Sequence, residues 1–468
     1  MSDQQPANAA AATDRAAVWA FGLGGTYAVL AALMVFGTLI KLGFPFIFGS
    51  WGMASVGRLW PMAMLAAVFG AAGLLHVGAT YYLGPRLTGH APGGAFERFG
   101  TPISAALIAV ATLAVGFGLG DGRPGFESPL LGDLALLLAF LGPTLFAVRT
   151  VLGKREETIY PSLWYLTGGL VATCVAIVVA NFPLTEATGS FVQTAFGRGT
   201  VLWGFVVAGG VGSAFFLVPR ITGKPLFSRQ LTVATFFSLL LPGMFYGLST
   251  HLGGPVAPWA EAIGVGMRFS LFVAAVSIPV GLMQSGAGGL GALRESAPLR
   301  LVAGGTTLIS VGTLVTALTA FPGVQSTIGL TTFDMGSEIV VLCGSLLLAW
   351  AMALHALPRI AGRELAEGDG PEWGLRLTVA GAIAIGVMLW VAGVTSGAIW
   401  RTGAETGAYL NIGEGFANTL DSVSWMYQIA GFAGILLLAG QVILLRTLWS
   451  TWATGRVTSA EQMVEVEA

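Results

Sequence analysis

Apolar residues in this chain run in unbroken blocks of about 20, the length a helix needs to cover a bilayer's hydrocarbon. Twelve such blocks are predicted as membrane-spanning helices: 17–40, 60–83, 101–120, 129–150, 161–183, 199–219, 231–251, 262–284, 300–321, 335–357, 374–398 and 424–448. The polar stretches between them are short. Residues 1–15 are rich in Ala, Gln and Asn, with no basic segment leading into a short apolar run and no cleavage pattern. They are read as a disordered cytoplasmic tail and not as a signal peptide. Residues 451–468, which carry Glu461, Glu465 and Glu467, read as a second solvated tail, leaving one twelve-helix membrane domain over 16–450.

Composition agrees with this pattern. Of 468 residues, 55% are hydrophobic and 10% charged, against roughly 25% charged in a soluble domain, and the mean hydropathy is +0.79. That excludes a soluble enzyme and a disordered scaffold. A net charge of −1 gives no global field to draw the chain to nucleic acid. Cys174 and Cys343 lie in apolar runs and read as buried, inert thiols. With both termini placed in the cytoplasm, sixteen Lys and Arg fall on that side. Lys41, Arg58, Arg123, Arg198 and Arg401 fall on the other, and Arg268 lies within a span. The positive-inside rule therefore predicts both termini cytoplasmic, in an inner (cytoplasmic) membrane.

A repeat is visible within the spans. Leu83-Gly84-Pro85-Arg86-Leu87-Thr88-Gly89, Leu217-Val218-Pro219-Arg220-Ile221-Thr222-Gly223 and Ala356-Leu357-Pro358-Arg359-Ile360-Ala361-Gly362 end spans 2, 6 and 10. The prolines are 134 and 139 residues apart, four spans each time. Proline is expected to stop each helix, arginine to sit among headgroups and glycine to make the turn. The expected fold is all-α, with twelve helices in three four-helix arcs around a pseudo-three-fold axis.

Several stretches carry a family resemblance. They are Gly57-Arg58-Leu59-Trp60-Pro61, Tyr81-Tyr82, and Val218-Pro219-Arg220 leading to Gly223-Lys224-Pro225-Leu226-Phe227-Ser228. Trp259 and Pro358-Arg359-Ile360-Ala361-Gly362-Arg363-Glu364-Leu365 add to it. Together they resemble the catalytic subunit of haem–copper oxidases, closest to its C-type (cbb-type) oxidase and nitric oxide reductase branches. The resemblance implies six histidines. Span 2 gives a ligand to the low-spin haem, span 6 one to the active-site copper (an iron in the reductases) and span 7 an adjacent pair. A His-x-His on span 10 ligates both haems, and in C-type oxidases a span-7 tyrosine is joined to a copper ligand. Haem iron and copper both suit neutral imidazole.

Counted from the shared Pro-Arg and Tyr-Tyr anchors, these positions hold other residues. The span-2 ligand position is Ala63, the span-6 position Gly199, the span-7 pair Ser249 and Thr250, and the span-10 pair Gly336 and Glu338. The tyrosine position is Gly243. None is histidine. The chain's four histidines do not replace them. His76 lies thirteen residues from Ala63, about 20 Å along a helix. His90 falls in a loop, His355 at the Pro-Arg end of span 10, and His251 beside the span-7 pair.

Ionisable groups inside spans are functional suspects. Asp334 and Glu338, four residues apart, share a helix face, and Arg268 enters span 8 from the same side. With His251 they form a candidate buried polar cluster. Arg268 either pairs with Glu338 or Asp334 in space a porphyrin would fill, or snorkels while Asp334 caps its helix in water. Glycine, at 68 residues, suits close helix approach, and 28 Phe and 13 Trp suit repacking of haem-sized space.

The expectation is a haem- and copper-free structural or assembly subunit of a respiratory-type membrane complex. By resemblance its partners are other membrane subunits, including a membrane-anchored c-type cytochrome. Two alternatives stay open. One is a redox-active oxidase or reductase subunit with relocated haem b and copper ligands. The other is a transporter or channel that reuses the scaffold through Glu338, Thr250 and Ser249.

Overall fold

The computed structural model describes residues 4–93, 96–183, 187–250, 252–254, 256–287, 290–366, 368–405 and 412–457. Among them the chain is helical, with a single isolated bridge between Arg363 and Val457. The long helices are α1 (Ala11–Gly43), α2 (Val56–Thr88), α3 (Phe96–Gly116), α4 (Leu130–Leu152), α5 (Pro161–Ala180) and α6 (Thr188–Thr222). They continue as α7 (Arg229–Ser249), α8 (Pro258–Ser285), α9 (Ala297–Leu318), α10 (Phe333–Ala361), α11 (Gly370–Gly403) and α12 (Ala417–Thr454). Eleven are long and apolar enough to cross a membrane, and α3 contributes a shorter apolar stretch, Gly100–Gly116. At 21 residues, α3 still reaches about 31 Å.

Each helix packs on the next around the bundle, and α12 closes the ring against α1. Inside it, α2, α6 and α10 pack on one another. Their apolar windows are 94%, 94% and 100% buried, against 33–61% for the eight other spanning windows. Three inner helices in a ring of nine realise the four-span repeat.

The repeat is also geometric. Gly89, Gly223 and Gly362 end the inner helices in the left-handed conformation, at φ 66°, 66° and 60°, which glycine adopts without a Cβ clash. The prolines do not stop these helices, as the sequence suggests they should. Each sits inside the last turn, and the Pro85 carbonyl accepts from the Gly89 amide at 2.9 Å. A proline in a helix frees the carbonyl four residues before it. For Pro219 that carbonyl is Phe215's, and the Tyr160 hydroxyl donates to it at 3.0 Å. Arg86 and Arg359 fold back in the same way, donating to the carbonyls of Tyr82 and His355 at 3.0 and 2.7 Å.

Two other boundaries differ from expectation. Residues 11–15 belong to α1, where Thr13 is buried and Asp14 pairs with Arg86 at 2.7 Å, so the polar segment there is helix and not a disordered tail. At the other terminus α12 runs to Thr454, and residues 458–468 lie outside the described residues. Helix α6 begins at Thr188, eleven residues before the predicted start. Its polar first turns (Thr188, Ser190, Gln193, Thr194) read as linker in the sequence. Arg198 therefore stands inside a helix and not in a loop.

Candidate functional site

The positions counted as the family's ligand positions lie in the half of the bundle far from the Pro-Arg ends. Two of them lead directly into widened turns. Residues Ala66–Gly73 of α2 and Thr200–Val207 of α6 are π-helical, and they are offset by 134 residues, the same as Pro85 and Pro219. Such widened turns concentrate at functional sites; α10 is regular throughout. A widened turn redirects carbonyls, and Val206's accepts from His76 Nε2 at 2.9 Å. Gly209 makes room for that ring, since a Cβ there would lie 2.6 Å from His76 Cδ2. His76 is thus a buried strap between α2 and α6. His355, expected near the interface, is also buried, edge-on to Phe216.

At the span-6 and span-7 positions the backbones meet. A Cβ on Gly199 would fall 2.0 Å from the Gly243 carbonyl and 2.8 Å from the Tyr246 ring, and one on Gly243 would fall 2.7 Å from Trp203 Cβ. Tyr246 and Trp203 pack edge to face, 6.0 Å apart. Ser249 is buried, its hydroxyl donating to the Tyr246 carbonyl at 2.8 Å, and Thr250 donates to Gly247 at 2.7 Å. At the first span-10 position, Gly336 is closed by α11: a Cβ would lie 3.0–3.1 Å from Leu389, Gly386 and Trp390. Ala63 is fully buried. A side chain at Gly199 would therefore require α6 and α7 to move apart. Aromatic rings fill the neighbouring interior in a chain from His76 to Phe205, Phe140, Phe69 and Phe126, with successive centroids 5.6–6.5 Å apart.

The second span-10 position, Glu338, is paired with Arg198. The sequence places Arg268 against Glu338 or Asp334; the structure gives Arg268 to Asp334 alone, through two bonds of 2.6 and 3.3 Å. Arg268 also donates to the Thr316 carbonyl at 3.1 Å and the Thr319 hydroxyl at 3.3 Å. It is 1% exposed, so it does not snorkel. His251, the cluster's fourth expected member, lies outside the described residues. Arg198 is the partner that sequence reasoning missed. Its adjacency to the vacated Gly199 was the available signal.

Two cavities meet at this pair. One of about 300 Å³ is lined by Trp60, Met64, Phe69, Leu202 and others, with Glu127, Arg198 and Glu338 as its charged groups. The second, of about 220 Å³, shares Trp60, Arg198, Leu202 and Glu338 and reaches Arg268, Asp334 and Thr250. The α3–α4 loop roofs the first. Gly125, at φ 87°, lies against the Arg198 stem, where a Cβ would approach Cβ and Cγ to 3.0 Å, and its amide donates to Glu127 Oε1 at 2.8 Å. The loop is anchored by Arg123, which bonds Asp121, Asp133, Asn181 and the Ala180 carbonyl. Burial pushes the Glu127 carboxyl above its ordinary range. Among the described residues no three His, Cys, Asp or Glu side chains gather as a metal would need.

A ring of nine helices around three buried ones, with the repeat at their ends, defines a haem–copper-oxidase-like membrane bundle. Comparison with known proteins gives the same answer. Residues 15–436 match the family described as Cytochrome C and Quinol oxidase polypeptide I, and the chain belongs to that family. It is 24% identical over 466 residues to cytochrome c oxidase subunit 1 of Rhodobacter capsulatus, covering 94% of this chain and 85% of the relative. It is 23% identical over 432 residues to the Cbb3-type cytochrome c oxidase subunit CcoN1 of Stutzerimonas stutzeri, covering 88% and 89%. Among solved structures, a heme-copper terminal oxidase dimer superposes with a TM-score of 0.74 at 13% identity, over 95% of this chain and 85% of that one.

Proposed function

We propose that this subunit I-like membrane protein carries neither haem nor copper and serves as a structural or assembly subunit of a respiratory-type membrane complex. The observation that carries the reading is the backbone contact of Gly199 with Gly243, which occupies the space of a copper-binding side chain. The other positions support it. Ala63 and Gly336 offer no donor, and the imidazole Nε2 of His76 is engaged by Val206. A low-spin haem needs axial donors on both faces, and Glu338 is held by Arg198.

The natural partners of such a scaffold are other membrane subunits, among them a membrane-anchored c-type cytochrome docking on the outer helices. The distribution of Lys and Arg supports a cytoplasmic membrane location with both termini and the Pro-Arg ends inside. Placing Arg198 within α6 removes one charge from the opposite side and strengthens that asymmetry.

The deciding measurement is a pyridine haemochrome spectrum with metal analysis on the purified chain. The reading expects no b-type haem and no copper; stoichiometric haem with a sharp Soret band overturns it. Affinity purification from native membranes then tests the scaffold role, with co-purifying oxidase-type subunits expected.

A further inference from the structure

We propose that the cavity of about 300 Å³ beside Arg198 binds a small organic monocation, an ammonium group on an apolar body. This goes beyond the scaffold reading and rests on it only in needing the space free of porphyrin.

Three observations converge. Glu338, with a side chain 9% exposed, spends Oε1 on Arg198, while its Oε2 is buried without a hydrogen-bond partner. Across the same cavity Glu127 spends Oε1 on the Gly125 amide, and its Oε2 is likewise buried and unpartnered. Both residues line the cavity, and an unmatched buried carboxylate oxygen is costly, so a ligand rich in donors that reached the two oxygens would relieve both. The charge count gives the ligand's sign. One guanidinium faces two carboxylates, so a single positive charge balances the lining.

The walls give its class. Apart from those three groups and the Pro124-Gly125 roof, the cavity is faced by Trp60, Met64, Leu65, Val68, Phe69, Val201 and Leu202. An inorganic cation needs more oxygen ligands than two carboxylates beside an arginine supply. An ammonium has three donors for the two free oxygens, and aromatic faces of Trp60 and Phe69 attract its charge while the apolar walls take its body.

The test uses the full chain in lipid nanodiscs, titrated calorimetrically with benzylammonium chloride. Saturable one-site binding is expected, with benzyl alcohol, which has the same shape and no charge, at least about tenfold weaker. Glu338→Gln and Glu127→Gln should each weaken benzylammonium by about tenfold. Met64→Trp, which fills the cavity and leaves both carboxylates, should abolish binding. Glu127 lies on a loop and Met64 is only half-buried, so these two variants decide the matter if Glu338→Gln does not fold. Absence of binding overturns the proposal. So does equal affinity for benzyl alcohol, the mark of an apolar pocket alone, or displacement by sodium chloride, the mark of a hydrated ion site. An absorption spectrum of the same sample keeps the two readings apart. A Soret band defeats the haem-free assignment, whereas a colourless protein that ignores benzylammonium defeats only the amine site.

Discussion

The two halves of the inner helix triad have kept different things. At the Pro-Arg ends the three-fold repeat survives in sequence and in backbone, down to three left-handed glycines and arginines that fold onto their own helices. In the far half, α2 and α6 still share their widened turns, but the side chains there no longer correspond: an alanine, a glycine closed by backbone, and a glutamate in an ion pair. Helix ends are constrained by the backbone and by the membrane interface, whatever the centre does. Positions in the interior answer only to their own neighbours, so each of these packs in its own way.

Substitutions at glycines in the two halves should show the contrast most strongly. Gly199→Ala forces a Cβ against the Gly243 carbonyl, so backbone must shift to admit it. We expect a loss of about 3 kcal/mol in thermal denaturation in detergent, and Gly199→His should give no folded protein. A wild-type-like melting profile for Gly199→His would reopen the copper position. Asp334→Ala comes next. It leaves Arg268 charged and fully buried, and should cost about 3 kcal/mol, at the low end for a broken buried pair because Asp334 is partly exposed. In a double-mutant cycle, Arg268→Met should recover part of that loss if the pair is the cause.

The strap between the widened turns predicts a smaller effect. His76→Phe keeps a ring beside Phe205 but strips the Val206 carbonyl of its donor, for a loss of about 1–2 kcal/mol. At the Pro-Arg end, Gly223→Ala meets no atom within 4 Å and pays only for its left-handed backbone, about 1 kcal/mol. A Gly223 penalty equal to that at Gly199 would erase the contrast.

The last prediction concerns pH. Burial raises the Glu127 carboxyl, which faces Arg198 and Glu338 across the cavity, so its folded value lies above its unfolded one. Stability linked to it is complete below the ordinary carboxylate range and declines as pH rises through the raised value. Benzylammonium binding should run the other way and strengthen as Glu127 ionises. Glu127→Gln should flatten both profiles, as read by thermal denaturation and calorimetry across that range.

Much of this protein was legible without coordinates. Block hydrophobicity gives the spans, because a helix in lipid must satisfy its own backbone and show apolar side chains over a fixed length. The Pro-Arg-x-x-Gly repeats give the inner triad, and residue identity alone shows that none of the counted ligand positions holds histidine. The tertiary structure decided what those positions pack against. Residues 188–198 look like a linker, yet in the fold they are helix, packed on α5 and α7, and carry Arg198 to Glu338. Arg268 could reach either carboxylate by span and side, and only the packing of α8 on α9 and of α9 on α10 gives it to Asp334. The closing of Gly199 on Gly243 and the cavity beside it depend on how closely separate helices approach, a distance that no single stretch of chain encodes.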